Sequence, residues 1–93
     1  MYANGDGVQL DYKKAVAFYQ ASAKQGFKAG QEDLAGMYQD GQGVPKDLVL
    51  AYAWAILSGG GTESELSSKV TKKQAKEAQK LASEWKVGQL IKR

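Results

Sequence analysis

The sequence predicts an all-α protein built from antiparallel helix pairs that stack as a solenoid. Shifting the chain by 36 residues aligns positions 1–19 with 37–55 and gives eight identities. A repeat period of about 20–50 residues indicates stacked helical or strand-containing units. Apolar residues recur at helical spacing and never alternate as in a strand, and glycine turns separate the helical stretches.

The composition limits the function before any motif is considered. The chain has 93 residues, a net charge of +3, and neither cysteine nor histidine. The missing cysteines exclude a disulfide framework, a thiolate zinc site and a cysteine nucleophile. The missing histidines remove the usual general base and transition-metal ligand. A charge of +3 is too small by itself to imply nucleic-acid or membrane binding.

The sequence shows no targeting or membrane-spanning pattern. Residues 1–7 contain neither the basic nor the apolar region of a signal peptide. The longest mostly apolar stretch, residues 48–57, is too short to cross a bilayer. We therefore expect a soluble chain, and the sequence does not indicate its compartment.

Glycine turns and N-caps divide the repeat region into helices. The glycines within residues 41–43 favour the backbone conformations that end a helix and reverse the chain. Pro45 disfavours helix continuation, and Asp47 stands where an N-cap belongs. Asp11 has the same place after the glycines of residues 5–7. A phosphate-binding glycine loop would follow a strand, so we interpret these glycines as turns.

Apolar periodicity predicts helices over residues 12–25, 28–39 and 47–58. The apolar stripe of the first helix, with Phe18 beside it, comprises Tyr12, Ala15, Val16, Tyr19 and Ala23. The third helix is apolar nearly all round, so it should be buried on both flanks. Small residues such as Ala23 and Gly30 indicate close helix packing.

Two further helices are predicted after the glycine run at residues 59–61. Thr62–Glu65 and Thr71–Gln74 both fit the capping box, in which a threonine hydroxyl and a side chain three residues later satisfy each other's backbone N–H groups. These signals predict a short helix over residues 63–69 and a longer one over 72–86.

One side of the last predicted helix is apolar, and the chain after it contains a helix-breaking glycine. The apolar side comprises Ala75, Ala78, Leu81, Ala82 and Trp85. Gly88 is expected to end the helix. Leu90 and Ile91 are expected either to dock on the core or to fray.

Charge is distributed unevenly along the chain. Residues 1–68 carry a net charge of −3, from five lysines and eight acids, whereas residues 69–93 carry +6, from eight basic residues and two glutamates. Four lysines of the last helix lie opposite its apolar side: Lys72, Lys73, Lys76 and Lys80.

This lysine face has two interpretations. It is either an electrostatic docking surface for an acidic partner, nucleic acid or anionic lipid, or the solvated outer face of a capping helix. Glutamates four residues after Lys73 and Lys80 favour the solvated face. The absence of aromatic or arginine side chains among the lysines disfavours nucleic acid.

The sequence predicts no catalytic or metal-binding constellation. The serines near turns have no histidine to activate them: Ser58, Ser64, Ser67 and Ser68. Glu32 and Asp33 point about 100° apart on a helix, so they do not converge on one substrate. Asp40 and Asp47 flank the glycine turn without the ligand series of a calcium loop. We therefore expect no enzyme activity, no metal and no cofactor.

The motif set resembles the Sel-one-like repeat family, a relative of the tetratricopeptide repeat with units of about 36–38 residues. The matching residues of the first copy are Tyr2, Gly5, Gly7, Val8, Asp11, Lys14, Ala15, Phe18, Tyr19, Ala23 and Gly26. Those of the second copy are Leu34, Tyr38, Gly41, Gly43, Val44, Asp47, Ala51 and Trp54. Residues 70–85 are similar to the capping helix that closes such arrays in bacterial members.

The resemblance implies a right-handed solenoid of helix pairs. It also implies how the chain divides into repeats and a C-terminal cap. Residues 1–60 would be repeats, the first lacking its helix A, and residues 61–93 the C-terminal capping helices and tail. Met1 aligns with Met37, near the end of a first helix, so we expect the C-terminal end of a longer repeat protein. The apolar stripe of the first helix would then lack a neighbour, and such an exposed patch favours self-association.

The resemblance also implies a protein–protein recognition module, an adaptor or scaffold whose partner is another protein or peptide. The first helices of such pairs line the concave face, which places exposed partner contacts at Lys28, Glu32, Ala35 and Gln39. Some cysteine-rich relatives are associated with β-lactam binding or hydrolysis. This chain has no cysteine and no S-x-x-K serine site, so the enzymatic interpretation is the least favoured.

Overall fold

Five helices form the part of the chain that the structure, a computed structural model, describes: residues 11–91. They are α1 (Tyr12–Lys24), α2 (Lys28–Asp40), α3 (Leu48–Ser58), α4 (Gly61–Ser67) and α5 (Lys72–Glu84). No strand occurs within the described range, so the predicted all-α class is confirmed. The first-copy turn at residues 5–7 and the alignment of Met1 lie outside the described residues.

Side-chain caps begin three of the helices as predicted. The Asp11 carboxylate accepts the Lys14 backbone N–H at 3.0 Å. Asp47 accepts two backbone N–H groups at the start of α3, at 3.0 and 3.1 Å. At α5, Thr71 Oγ1 accepts the Gln74 N–H while Gln74 Oε1 accepts the Thr71 N–H. Each cap satisfies backbone donors that have no partner within the helix.

The predicted start of α4 is wrong. Its N-cap is Gly60, which has no side chain to cap with, and the helix begins at Gly61 rather than after Thr62. The reason is a tertiary contact: the Thr62 hydroxyl donates to the Glu32 carboxylate on α2 at 3.3 Å. A contact from another helix thus replaces the local capping box.

α5 ends before Gly88, the glycine that was expected to terminate it. α5 stops at Glu84, and Trp85 adopts an extended conformation. Gly88 lies in the following tail, where its N–H donates to the Lys24 carbonyl at the end of α1. Ile91 is buried in the core, so this residue docks. The tail therefore ties the end of α5 to the end of α1.

The core is centred on α3, which packs against α2, α4 and α5. Trp54 is 1% exposed, and its ring meets that of Trp85 edge to face, with centroids 6.0 Å apart. A helix that is apolar all round is stable in water only when neighbours cover every side. The predicted burial of this helix on both flanks is confirmed.

Small residues bring α1 and α2 into close contact, as predicted. A side chain at Gly30 would collide with the Ser22 side chain and lie 3.0 Å from the Ala23 backbone nitrogen. Gln31 is buried beside this point, and its Nε2 donates to the Ala23 carbonyl at 3.2 Å. This bond satisfies a polar group that would otherwise be costly to bury.

The apolar stripe of α1 is less exposed than predicted. Ala15 and Val16 are buried, because the glycine turn before α3 packs on α1: the Cβ position of Gly43 lies 2.9 Å from Val16 Cγ2. Phe18 is a large apolar side chain that this helix does expose, at 71%. A turn of the second repeat thus contacts the stripe at Tyr12 and Val16, while Tyr12 and Tyr19 stay partly exposed.

Candidate interaction surfaces

The predicted partner contacts on α2 do not form one exposed surface. Lys28 is exposed and Glu32 and Gln39 are half-buried. Ala35 is 0% exposed and belongs to the core, so its predicted exposure is wrong. Ala35 lies at helical spacing between Glu32 and Gln39, both of which contact α4, so α4 runs along this side of α2.

Glu32 acts as a cap for α4 instead of pointing freely into solvent. Its Oε1 accepts the Thr62 hydroxyl at 3.3 Å and lies 3.5 Å from the Thr62 backbone nitrogen. Gly60 makes the approach possible, because a side chain there would collide with the carboxylate. A negative charge at a helix N-terminus also interacts favourably with the helix dipole.

Gln39 makes the second contact between α2 and α4. Its Nε2 donates to Glu65 Oε1 at 3.0 Å, and the same oxygen accepts Lys69 Nζ at 3.0 Å. The hydrogen bond from Gln39, followed by the bond and charge of Lys69, holds the pKa of Glu65 below its ordinary value. These bonds stabilise the ionised carboxylate, since both donors favour the charged form.

Replacing Gln39 with alanine is expected to raise the pKa of Glu65 toward its ordinary value. Lys69→Ala should also raise it, because it removes both a hydrogen bond to Glu65 and a positive charge beside it. The folded pKa is depressed, so the stabilisation from this contact is present above the unfolded pKa and is lost as the pH falls through the folded value. An NMR titration of the Glu65 carboxyl carbon measures both variants, and an unchanged pKa in Gln39→Ala would contradict the contact.

The open side of α2 lies elsewhere on the helix. Ala29, Asp33 and Asp40 are exposed, and a side chain added at Gly36 would meet nothing within 4 Å. Partial desolvation at the helix surface, followed by repulsion from the neighbouring Glu32, raises the pKa of Asp33. This face was not among the predicted contacts, although residues 29, 33, 36 and 40 have the helical spacing of one side.

The lysine face of α5 is exposed as predicted, with its apolar side packed on α3. Lys72, Lys76 and Lys80 form one ridge, which we call the lysine ridge, and Lys73 flanks it; all four are exposed. Residues four apart on a helix are about 6 Å apart along the axis, so the ridge is about 12 Å long.

The tail after α5 borders an open groove. This tail groove has a volume of about 580 Å³, within the roughly 300–1,000 Å³ of ligand pockets. It is lined by Lys24, Leu81, Glu84, Trp85, Gly88, Gln89, Leu90 and Ile91. Trp85 Nε1 donates to the Gln89 carbonyl at 2.7 Å, which fixes the indole as one wall.

Clusters of metal ligands and membrane-spanning helices are both absent from residues 11–91. Among these residues there is no group of three or more histidine, cysteine, aspartate or glutamate side chains that could hold a metal ion. Within the same range no helix is both long and apolar enough to cross a membrane.

The helix pairs and glycine turns define an α-helical repeat protein. The chain belongs to the Sel1 repeat family, whose model matches residues 1–27 and 28–59. The second match begins where α2 begins, so α2 and α3 together form one repeat. Sel1 repeats are in general non-enzymatic modules for protein–protein interaction. No curated protein matches the chain.

Proposed function

We propose that this chain is an adaptor or scaffold module that recognises another protein through the outer face of α2. The observation that carries the proposal is the open backbone at Gly36 between two exposed carboxylates, Asp33 and Asp40. A partner segment can approach this backbone closely because no side chain covers it. Of the contacts predicted from sequence, Lys28 is exposed, Glu32 and Gln39 contact α4, and Ala35 is buried.

We propose further that residues 1–60 are the repeats and residues 61–93 a capping segment of the kind found in bacterial members. Two observations support the division. The family match ends at residue 59, and α5 packs its alanine side on the core while presenting lysines to solvent. A polar outer face is what a terminal helix of a solenoid requires.

A photo-crosslinking amino acid placed at Gly36 tests the binding face. The matched control position is Gly61, where an added side chain also meets nothing within 4 Å. We expect discrete crosslinked partners in a cell extract from position 36 and none of the same partners from position 61. Identical products from both positions, or none from position 36, would contradict the proposal.

A partner identified in this way allows a direct measurement. Asp33→Arg combined with Asp40→Arg should weaken its binding at least about tenfold, because a charge reversal on both sides of Gly36 removes the electrostatic match. Retention of the helical circular dichroism spectrum excludes unfolding as the cause. Unchanged affinity in this variant would place the contact on another face.

A further inference from the structure

We propose that the outer face of α2 takes a basic α-helix in which a bulky apolar residue and an arginine or lysine each recur every seven residues. The inference rests on the proposed function, because it names the kind of partner that the same face recognises. This face consists of Ala29, Asp33, Gly36 and Asp40, so it combines two small residues with two carboxylates.

The four residues point in nearly the same direction. Successive residues of an α-helix are separated by about 100°, so residues 29, 33, 36 and 40 lie within about 60° of one another. The opposite side of α2 faces the core, where Gln31 is 2% exposed. One partner helix lying along α2 can therefore reach all four residues at once.

The two carboxylates of this face have no cation within the described residues. Asp33 and Asp40 are exposed, and neither forms an ion pair with another residue of the range 11–91. No lysine or arginine stands three or four residues from either aspartate, where a helix would allow a pair. The face is therefore complementary to a partner that brings positive charge.

The small residues leave room for bulky side chains of the partner. A side chain added at Gly36 would meet nothing within 4 Å, and Ala29 presents only a methyl group at an exposed position. Large side chains on one helix interdigitate with small residues on the facing helix. Bulky apolar residues of the partner are therefore expected over these two positions.

The spacing favours a helix over an extended chain. Ala29 and Gly36 are seven residues apart, and so are Asp33 and Asp40, which corresponds to about 10.5 Å along the axis. Helices packed side by side meet at equivalent positions every seven residues. In an extended chain the side chains on one face recur about every 7 Å, so two of its cations match the two carboxylates poorly.

Other partners fit this face less well. Nucleic acid and anionic lipid carry negative charge, which the two aspartates repel. A second copy of the chain could offer Lys73 and Lys80 of α5, which are exposed and seven residues apart. No large apolar side chain of α5 is exposed beside them, so a second copy would leave the small residues of α2 uncovered.

The experiment measures binding of a labelled, alanine-rich helical peptide by fluorescence anisotropy at low salt. The peptide carries two leucines and two arginines, each pair seven residues apart on one face. Asp33→Asn combined with Asp40→Asn should weaken binding about tenfold, because both arginines lose their carboxylates. The matched control combines Glu77→Gln with Glu84→Gln, which are exposed on α5 and change the net charge equally. The control should weaken binding less than about twofold.

The close approach of the partner helix is tested separately. Gly36→Leu should weaken binding of the arginine peptide about fivefold or more, because the added side chain holds the partner away from α2. Gly61→Leu is the control, since an added side chain there also meets nothing within 4 Å, and it should leave binding unchanged. Far-UV circular dichroism confirms folding of each variant.

A charge exchange tests which residues the arginines meet. Asp33→Arg combined with Asp40→Arg should reject the arginine peptide and bind a peptide with glutamates in place of its arginines. A peptide of the original composition with proline at its centre cannot form the helix, and the wild type should bind it at least about fivefold more weakly.

Several outcomes would overturn the proposal. The wild type could fail to bind the arginine peptide, or the two carboxylate double variants could weaken binding equally, which would reduce the effect to net charge. Equal binding of the proline peptide would assign the face to an extended basic segment. Self-association of the wild type that Asp33→Asn combined with Asp40→Asn abolishes would assign the face to a second copy.

The crosslinking experiment at Gly36 separates this inference from the proposed function. Discrete crosslinked partners without binding of the arginine peptide would refute the basic helix and leave the binding face in place. The absence of both results would remove the face itself. Discrete partners together with the expected peptide binding would support both proposals.

Discussion

Replacing Trp54 with alanine is expected to lower the free energy of unfolding by about 3–5 kcal/mol, because it empties the largest buried site of the core. Trp54 is 1% exposed and also loses its edge-to-face contact with Trp85. A chain of 93 residues has a total stability of roughly 5–14 kcal/mol. The variant should therefore lose a large part of its stability in urea unfolding followed by far-UV circular dichroism.

The repeat itself provides the control for this variant. Phe18 stands 36 residues before Trp54, at the same position of the first copy, but is 71% exposed. Phe18→Ala should change the free energy of unfolding by no more than about 0.5 kcal/mol, as exposed positions usually do. Equal losses at the two positions would show that burial does not distinguish them.

Gly43→Ala should destabilise the fold by about 2–5 kcal/mol, from the left-handed backbone conformation and from collision with α1. The backbone φ at Gly43 is +75°, and an added Cβ would lie 2.5 Å from the Tyr12 carbonyl oxygen and 2.9 Å from Val16 Cγ2. A backbone carbonyl cannot rotate away as a side chain can, so the turn must move off α1. Thermal unfolding measures the loss.

Gly59→Ala separates the two causes. Gly59 has a similar φ of +66°, but an added Cβ would meet nothing within 4 Å. This variant should lose only the conformational contribution, about 1–2 kcal/mol. If both variants lost the same amount, the contact between the Gly43 turn and α1 would be energetically unimportant.

Sequence patterns predicted the features that depend on neighbouring residues. The caps at Asp11, Asp47 and Thr71 follow from side chains placed two or three residues before the backbone groups that they satisfy. The long apolar helix predicted its own burial, because no side of it could face water. The family assignment rests on turns and small residues at fixed spacing, which are equally local.

The features that sequence patterns missed depend on contacts between distant segments. Nothing near Ala35 in sequence indicates that it belongs to the core, and its helix position alone is compatible with exposure. Glu32 and Thr62 are 30 residues apart in sequence but form a hydrogen bond. The threonine that was predicted to cap α4 therefore donates to α2 instead. The tail groove likewise requires the path of the tail from Trp85 back to Lys24, which no local signal encodes.

The position of α3 also determines how the molecule comes apart. Helical-repeat proteins usually unfold unit by unit, because each unit contacts only its neighbours. Here α3 packs against α2 on one side and against α4 and α5 on the other, so losing either side exposes the same apolar surface. Residues 11–60 and 61–91 are distinct segments of the sequence, but the stability of each depends on the other. We therefore expect them to melt in a single cooperative transition.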